Sequence, residues 1–182
     1  MTLVLASASP QRRAILETLG VAFVARPANV VESDEGPPAA VARENAIRKA
    51  VAVERAPGER VLGVDTLVAT ELEIWGKPPN AEAAAETLRR LAGRTHDVVS
   101  GFALADDDGV RASEDVTRVT FRALDDAEIA AYVAAGEWEG RAGGYAIQGR
   151  GGALVRRIEG DYLNVVGLPV SAIIEAWPGI LG

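Results

Sequence analysis

The sequence predicts an α/β fold in which a mixed β-sheet is flanked by helices. Three observations carry this. Short apolar runs alternate with helically spaced stretches in the first half of the 182-residue chain, the pattern of parallel strand–helix–strand units. Two longer strand-type runs, His96–Ala105 and Val110–Phe121, are joined by Asp106-Asp107-Asp108-Gly109, whose closing Asp-Gly is a strong hairpin signal. Hydrophobic residues make up 48% of the chain, so it can bury a real core as one domain spanning 1–182.

The elements follow in order. Leu3-Val4-Leu5-Ala6 suits a buried strand and stops at Ser7-Ala8-Ser9; Pro10 then opens a helix through Ile15, Leu16 and Leu19 that Gly20 closes. Val21–Arg26 reads as a second strand. It leads into an acidic, turn-prone stretch, Glu32-Ser33-Asp34-Glu35-Gly36-Pro37-Pro38. A helix runs from Ala39 to about Arg55, stopped by Pro57-Gly58. Arg60–Ala69 is a strand interrupted by polar Asp65 and Thr66. A hairpin through Glu71–Ile74 and a rigid Gly76-Lys77-Pro78-Pro79 loop come next. Asn80 caps a helix over Ala81–Leu91 that Gly93 closes. Asp125 and Glu128 form a capping-box pattern for a helix ending near Gly136. The glycine-rich stretch Gly140–Gly152 precedes a strand at Leu154–Ile158. Asn164–Pro169 reads as a loop, and Val170–Trp177 as a final helix.

Composition excludes several classes. Nineteen Lys and Arg against 26 Asp and Glu give a net charge of −7, which opposes a nucleic-acid surface. Anion binding must then be concentrated in a few positions. Zero cysteines rule out disulfides, thiolate metal sites and a Cys nucleophile. No apolar run approaches the ~20 residues that span a bilayer, and the amino end lacks signal-peptide features. The expectation is a cytoplasmic protein without a membrane partner.

Candidate chemistry begins at the first strand end. Strand, tight turn and helix start aim backbone N–H groups and the Ser7 and Ser9 hydroxyls at one point. The helix dipole and the Arg12 and Arg13 guanidiniums add positive charge there. A phosphate chain suits such a place; an N-capped helix with surface arginines would have the same sequence. Asp65, a carboxylate at the end of an apolar strand, is costly unless paired, hydrogen-bonded or on a metal. Glu32, Asp34 and Glu35 are oxygen donors of the kind Mg²⁺ prefers, although acidic runs are ordinarily solvated. Lys77 is held between glycine and proline. The lone His96 reads as a strand-end residue bonded to backbone. Gly143–Gly149 lacks dinucleotide-binding spacing, but Gln148 within it has an amide able to read a base edge. Trp75, Trp138 and Trp177 read as packing residues.

Taken together, Ser7-Ala8-Ser9-Pro10-Gln11-Arg12-Arg13, Gly63-Val64-Asp65-Thr66, Gly76-Lys77-Pro78, Leu91–His96, Ala142–Gly149 and Asn164–Pro169 resemble the Maf family of nucleoside triphosphate pyrophosphatases, over nearly the whole chain and in the family's order. The resemblance implies an elongated, twisted mixed sheet, two lobes with a central cleft, Mg²⁺ or Mn²⁺ as divalent cofactor, and often a homodimer. It also implies hydrolysis of a nucleoside triphosphate to monophosphate and pyrophosphate in a house-cleaning or division-linked role. By position, Asp65 resembles the family's proton acceptor and metal-side carboxylate, and Glu32 its second acidic residue. Ser7, Arg12, Arg13 and Lys77 resemble phosphate-contacting residues, Lys77 within the catalytic set, and Ser9 beside them is read as substrate-binding from its place at the strand end. Arg12, Thr66 and Gln148 stand where the family marks its dTTP/UTP branch. The resemblance departs at Asn45, where the family usually has lysine. Lys49 lies one helical turn on, about 6 Å along the axis; either it takes over the substrate contact or the site runs with one fewer cation. A nucleotide-binding regulator that senses triphosphates without cutting them is the competing reading. A phosphotransferase or sugar-phosphate phosphatase, which would release orthophosphate, ranks lower, because no phospho-acceptor Asp motif or Walker-type GK[ST] appears.

Overall fold

The first apolar run forms β1 (Thr2–Leu5) in a computed structural model that describes residues 2–71 and 73–182. In chain order there follow α1 (Pro10–Thr18), β2 (Phe23–Ala25), α2 (Pro38–Ala52), β3 (Glu59–Ala69), β4 (Ile74–Trp75), α3 (Ala81–Leu91), β5 (Thr95–Asp106), β6 (Gly109–Phe121), α4 (Asp126–Ala134), β7 (Val155–Glu159), α5 (Tyr162–Val166) and α6 (Val170–Ala176). Among the described residues, seven strands form one mixed sheet of order β2-β1-β3-β5-β6-β7, with β4 paired to β3 off that path. This is the α/β class with a mixed sheet that the sequence predicts. None of the helices among the described residues is long and apolar enough to cross a membrane.

The chain divides into two compact units, one of Met1–Thr66, Val99–Asp115 and Gly167–Gly182, the other of Leu67–Val98 and Val116–Val166. In the first, β1 runs parallel to β2 (Leu3 beside Phe23) and to β3 (Thr2 beside Glu59). Its core joins Val4, Ala6 and Val61 to Ala46, Ala50 and Val53 of the α2 stretch and to Ala103 and Ala105 of β5. Glycine sets how close α2 comes. A Cβ on Gly63 of β3 would lie 2.2 Å from the Ala46 carbonyl oxygen, and one on Gly101 of β5 would lie 2.2 Å from the Ala42 carbonyl. Ala42, Ala46 and Ala50, four residues apart, form the small-residue stripe that meets these glycines. α2 therefore rests on the sheet almost backbone to backbone.

In the second unit, α3 and α4 carry the predicted caps. The Asn80 side chain accepts from the Ala83 N–H, and Asp125 and Glu128 form a complete capping box. The core gathers Leu88, Leu91, Val119, Phe121, Ile129, Tyr132, Tyr145 and Leu154. Trp75 and Trp138 pack against it, as expected for packing residues, and the Arg90 guanidinium lies over Trp75, 4.6 Å from the ring centre.

Four expectations need correction. β3 is continuous through Asp65 and Thr66, so Asp65 is an interior strand residue and not a terminal one. α2 stops at Ala52, short of Arg55, because Val53 turns extended to enter the core. Asn164–Val166 belong to α5, not to a loop: the Asp161 carboxylate accepts from the Leu163 N–H at 2.8 Å, and the buried Asn164 amide donates to the Val98 carbonyl and the Thr117 hydroxyl. His96 bonds not to backbone but to the Tyr145 hydroxyl, Nε2 to Oη 2.9 Å, packed edge-on to Phe121; burial pushes its pKa down to about 4. The turn of the expected hairpin through Glu71–Ile74 includes Leu72, which lies outside the described residues; its flanks pair as β3 and β4, with Val68 beside Trp75.

Candidate active site

Two adjacent residues of β3 organise the polar groups of the first unit. Successive strand side chains alternate in direction, so Asp65 shares the Gly63 side, against which α2 rests, and Thr66 takes the other.

Asp65 is 4% exposed. The Lys49 ammonium lies 2.6 Å from its Oδ1, and the Asn45 amide donates to its Oδ2 at 2.9 Å. Asn45 and Lys49 stand one turn apart on α2, so the close seating of the helix delivers both to the same carboxylate. The same ammonium lies 2.6 Å from Glu32 Oε1. The Lys49 ammonium thus sits between two carboxylates. Asn45 is buried and also grips the neighbouring chain: its Oδ1 accepts from the Ser33 N–H at 2.8 Å, and its Nδ2 donates to the Ser33 carbonyl at 2.9 Å.

The second group hangs from Thr66. Arg12, only 8% exposed, donates from Nη2 to Thr66 Oγ1 at 3.1 Å, from Nη1 to Ser7 Oγ at 3.0 Å, and from Nε to the Gly167 carbonyl at 2.8 Å. Thr66 Oγ1 in turn meets the buried Ser100 hydroxyl at 2.8 Å. Burial pulls the Arg12 pKa below the usual guanidinium value, while the charges of Asp65 and Glu32 push it back up. The two groups are thus coupled by charge, and the guanidinium stays protonated. Ser9 caps α1 by accepting from the Arg12 N–H at 3.4 Å, and its own N–H donates to Ser7 Oγ at 3.2 Å. Arg13 is partly buried, and its Nε has no hydrogen-bond partner among the described residues.

Lys77 and Gln148 belong to the second unit, and both are exposed. The Lys77 loop is pinned from both sides: the Gly143 N–H donates to the Gly76 carbonyl at 3.1 Å, and Gly144 abuts Pro78. Gln148 follows buried Ile147 at a turn closed by the Gly149 N–H on the Ala146 carbonyl, 3.0 Å.

Sequence reading missed three contributors: the full hydrogen-bonding role of Asn45, Ser100 beside Thr66, and the Gly167 carbonyl that receives Arg12. The signal for the first was present in the Ala42/Ala46/Ala50 stripe, which fixes the α2 face and hence what stands beside it. A backbone carbonyl carries no side-chain signature and could not have been read.

Oxygen donors that already converge on one cation fit a hard divalent ion. Glu32 and Asp65 both reach the Lys49 ammonium, and such an ion is commonly held by one or two carboxylates together with substrate phosphates. Among the described residues, no three or more His, Cys, Asp or Glu are grouped so as to hold a metal by themselves.

An α/β sheet that buries a lysine–aspartate pair one residue from a serine–arginine cluster defines a protein with a densely charged, pre-ordered site. The model for the Maf-like protein family matches residues 2–177, and this chain belongs to the Maf family. Among its relatives are the dTTP/UTP pyrophosphatase of Gloeobacter violaceus, 46% identical over 95% of this chain and 93% of that protein, and the dTTP/UTP pyrophosphatase of Moorella thermoacetica, 48% identical over 95% and 92%. That of Myxococcus xanthus is 46% identical over 94% and 89%. A solved structure, the Ham1 protein of Staphylococcus aureus, is similar at a TM-score of 0.46 and 16% identity over 66% of this chain and 72% of that one.

Proposed function

We propose that this chain hydrolyses dTTP and UTP to the nucleoside monophosphate and pyrophosphate, acting as a single functional domain over residues 1–182. The observation that carries the reading is the buried Asp65 carboxylate, held by Lys49 and Asn45 in a chain that shares 46–48% identity with proteins named dTTP/UTP pyrophosphatase.

Asp65 orients a water and accepts its proton as the water oxygen attacks the α-phosphorus. The bond from that phosphorus to the bridging oxygen breaks, and pyrophosphate leaves with the bonding pair. General-base assistance of this kind is worth roughly 10²–10⁴ in rate. A triphosphate repels an incoming oxygen nucleophile, so cations must offset its charge. Arg12, Arg13 and Lys77, with the Ser7 and Ser9 hydroxyls, serve that need, and Lys49 keeps Glu32 and Asp65 from repelling each other. Glu32 and Asp65 would hold Mg²⁺ or Mn²⁺, which supplies Lewis-acid polarisation of phosphate oxygens. Thr66 and Gln148 select the pyrimidine. The remaining parts of the reading are a cytoplasmic homodimer with no nucleic-acid or membrane partner.

Incubating the purified protein with each canonical nucleoside triphosphate and Mg²⁺ or Mn²⁺, then assaying products, tests this. Pyrophosphate from dTTP and UTP is the expected result. Orthophosphate release, or no product from any nucleotide, overturns it.

A further inference from the structure

We infer that Asn45 is a positioning residue that locks the Glu32–Ser33 segment to Asp65; the inference rests on the reading of Asp65 as the working carboxylate. Residues 26–37 have no helix or strand of their own, and within them Val31 is 87% exposed and the Glu32 side chain 43% exposed. A segment of that kind needs an anchor to keep Glu32 in place. Asn45, with no exposed surface, supplies it. Its Oδ1 takes the Ser33 N–H at 2.8 Å, and its two amide hydrogens go to the Ser33 carbonyl and to Asp65 Oδ2, each at 2.9 Å.

The chemistry of position 45 is narrow. The group there must accept one hydrogen bond and donate two, and an amide does both without charge. Aspartate could accept from Ser33 but could donate to neither oxygen, and it would set a second carboxylate against Asp65. Lysine could donate but could not accept. Reversing the amide would turn its oxygen toward the Asp65 carboxylate, so the orientation is fixed by its partners. Lys49 bridges the same two elements through charge, Glu32 on one side and Asp65 on the other. The two α2 residues form parallel ties, one ionic and one neutral. The ionic tie involves half-exposed Glu32, whereas the neutral tie runs through a fully buried Asn45 and governs geometry.

The test has two arms. In the unaltered protein, hydrogen exchange resolved by NMR should show the Ser33 amide protected about 100-fold over those of Asp34 and Glu35, its exposed neighbours. In Asn45→Ala, and in the milder Asn45→Ser, kcat for UTP should fall about 10–100-fold, with KM within about threefold of the parent value. That split separates positioning from substrate binding, and a merely structural residue would leave the kcat of the folded fraction alone. A Ser33 amide exchanging as fast as Asp34 overturns the inference. So does a kcat within about twofold of the parent, or a rise in KM at constant kcat. An unaltered protein that cuts no nucleotide overturns the proposed function, and the exchange arm still decides whether the tie exists. The same arm decides if neither variant folds.

Discussion

The Lys49 ammonium and the Asp65 carboxylate form a buried ion pair, Nζ to Oδ1 2.6 Å, with side-chain exposures of 9% and 6%. Such a pair is weak evidence of net stabilisation, since both charges leave water, but breaking it leaves one charge stranded. Lys49→Met should therefore destabilise the protein by about 3–5 kcal/mol in urea unfolding. Adding Asp65→Asn should cost less than the two single changes summed, by about 1–3 kcal/mol, because the stranded charge is then gone. Strict additivity would mean that the two groups do not interact.

Asp65→Asn alone should keep the fold. The amide oxygen can still accept from Lys49, which also retains Glu32, while the new NH2 faces the Asn45 amide and that one hydrogen bond is lost. Pyrophosphate release should nonetheless fall by roughly 10²–10⁴, the usual worth of a lost general base. Steady-state kinetics beside a circular dichroism spectrum checks both halves, and near-parent turnover would remove Asp65 from the reaction.

His96 gives a pH signature. Its pKa lies at about 4 in the folded protein against 6.5 ordinarily, because burial disfavours the charged ring. The folded state then binds fewer protons than the unfolded state between these values. Its contribution is complete above about 6.5, shrinks as the pH falls, and is exhausted near 4, amounting to about 3 kcal/mol across the window. Urea midpoints from pH 7 down to pH 4.5 should fall in the parent and fall less steeply in His96→Gln, which can still bond the Tyr145 hydroxyl.

Gln148→Ala should flatten the ratio of kcat/KM between UTP and GTP, since a side chain that hydrogen-bonds a base edge discriminates by leaving its own groups unpaired on the wrong base. An unchanged ratio would take Gln148 out of the specificity set.

Gly63→Ala should be far more damaging than its single methyl suggests. The added carbon would lie 2.2 Å from the Ala46 carbonyl oxygen and 2.7 Å from the Ala50 N, both backbone atoms with little room to yield. A loss of about 3 kcal/mol or more, at the top of the overpacking range, is expected by thermal unfolding, with lower kcat because α2 carries Asn45 and Lys49.

Much of this molecule can be read from its residues, for identifiable reasons. Asn80 and the Asp125/Glu128 pair mark helix starts because a cap is a local hydrogen bond between neighbours in sequence, and both are found as expected. Asp65 stands out because a carboxylate in an apolar run demands a partner. What the partners would be was less legible. Lys49 and Asn45 could be ranked only once Gly63 and Gly101 had brought α2 down on the sheet, a contact between stretches with no local pattern linking them. Polar Asp65 and Thr66 read as a strand break, yet β3 runs through them because Lys49, Asn45 and Arg12 satisfy those side chains in place. The His96–Tyr145 bond likewise joins residues 49 apart, with no local pattern to announce it.

Replacing glycine with alanine is a common route to hardier proteins, because it narrows the freedom of the unfolded chain. Here that recipe has forbidden addresses. At Gly76 an added methyl would touch nothing within 4 Å, but at Gly63 and Gly101 it would wedge the helix off its seat. The seating of α2, and with it the spacing of Asn45 and Lys49 from Asp65, is thus set by atoms that are missing, and a lineage selected for heat tolerance must find its gains elsewhere in the chain.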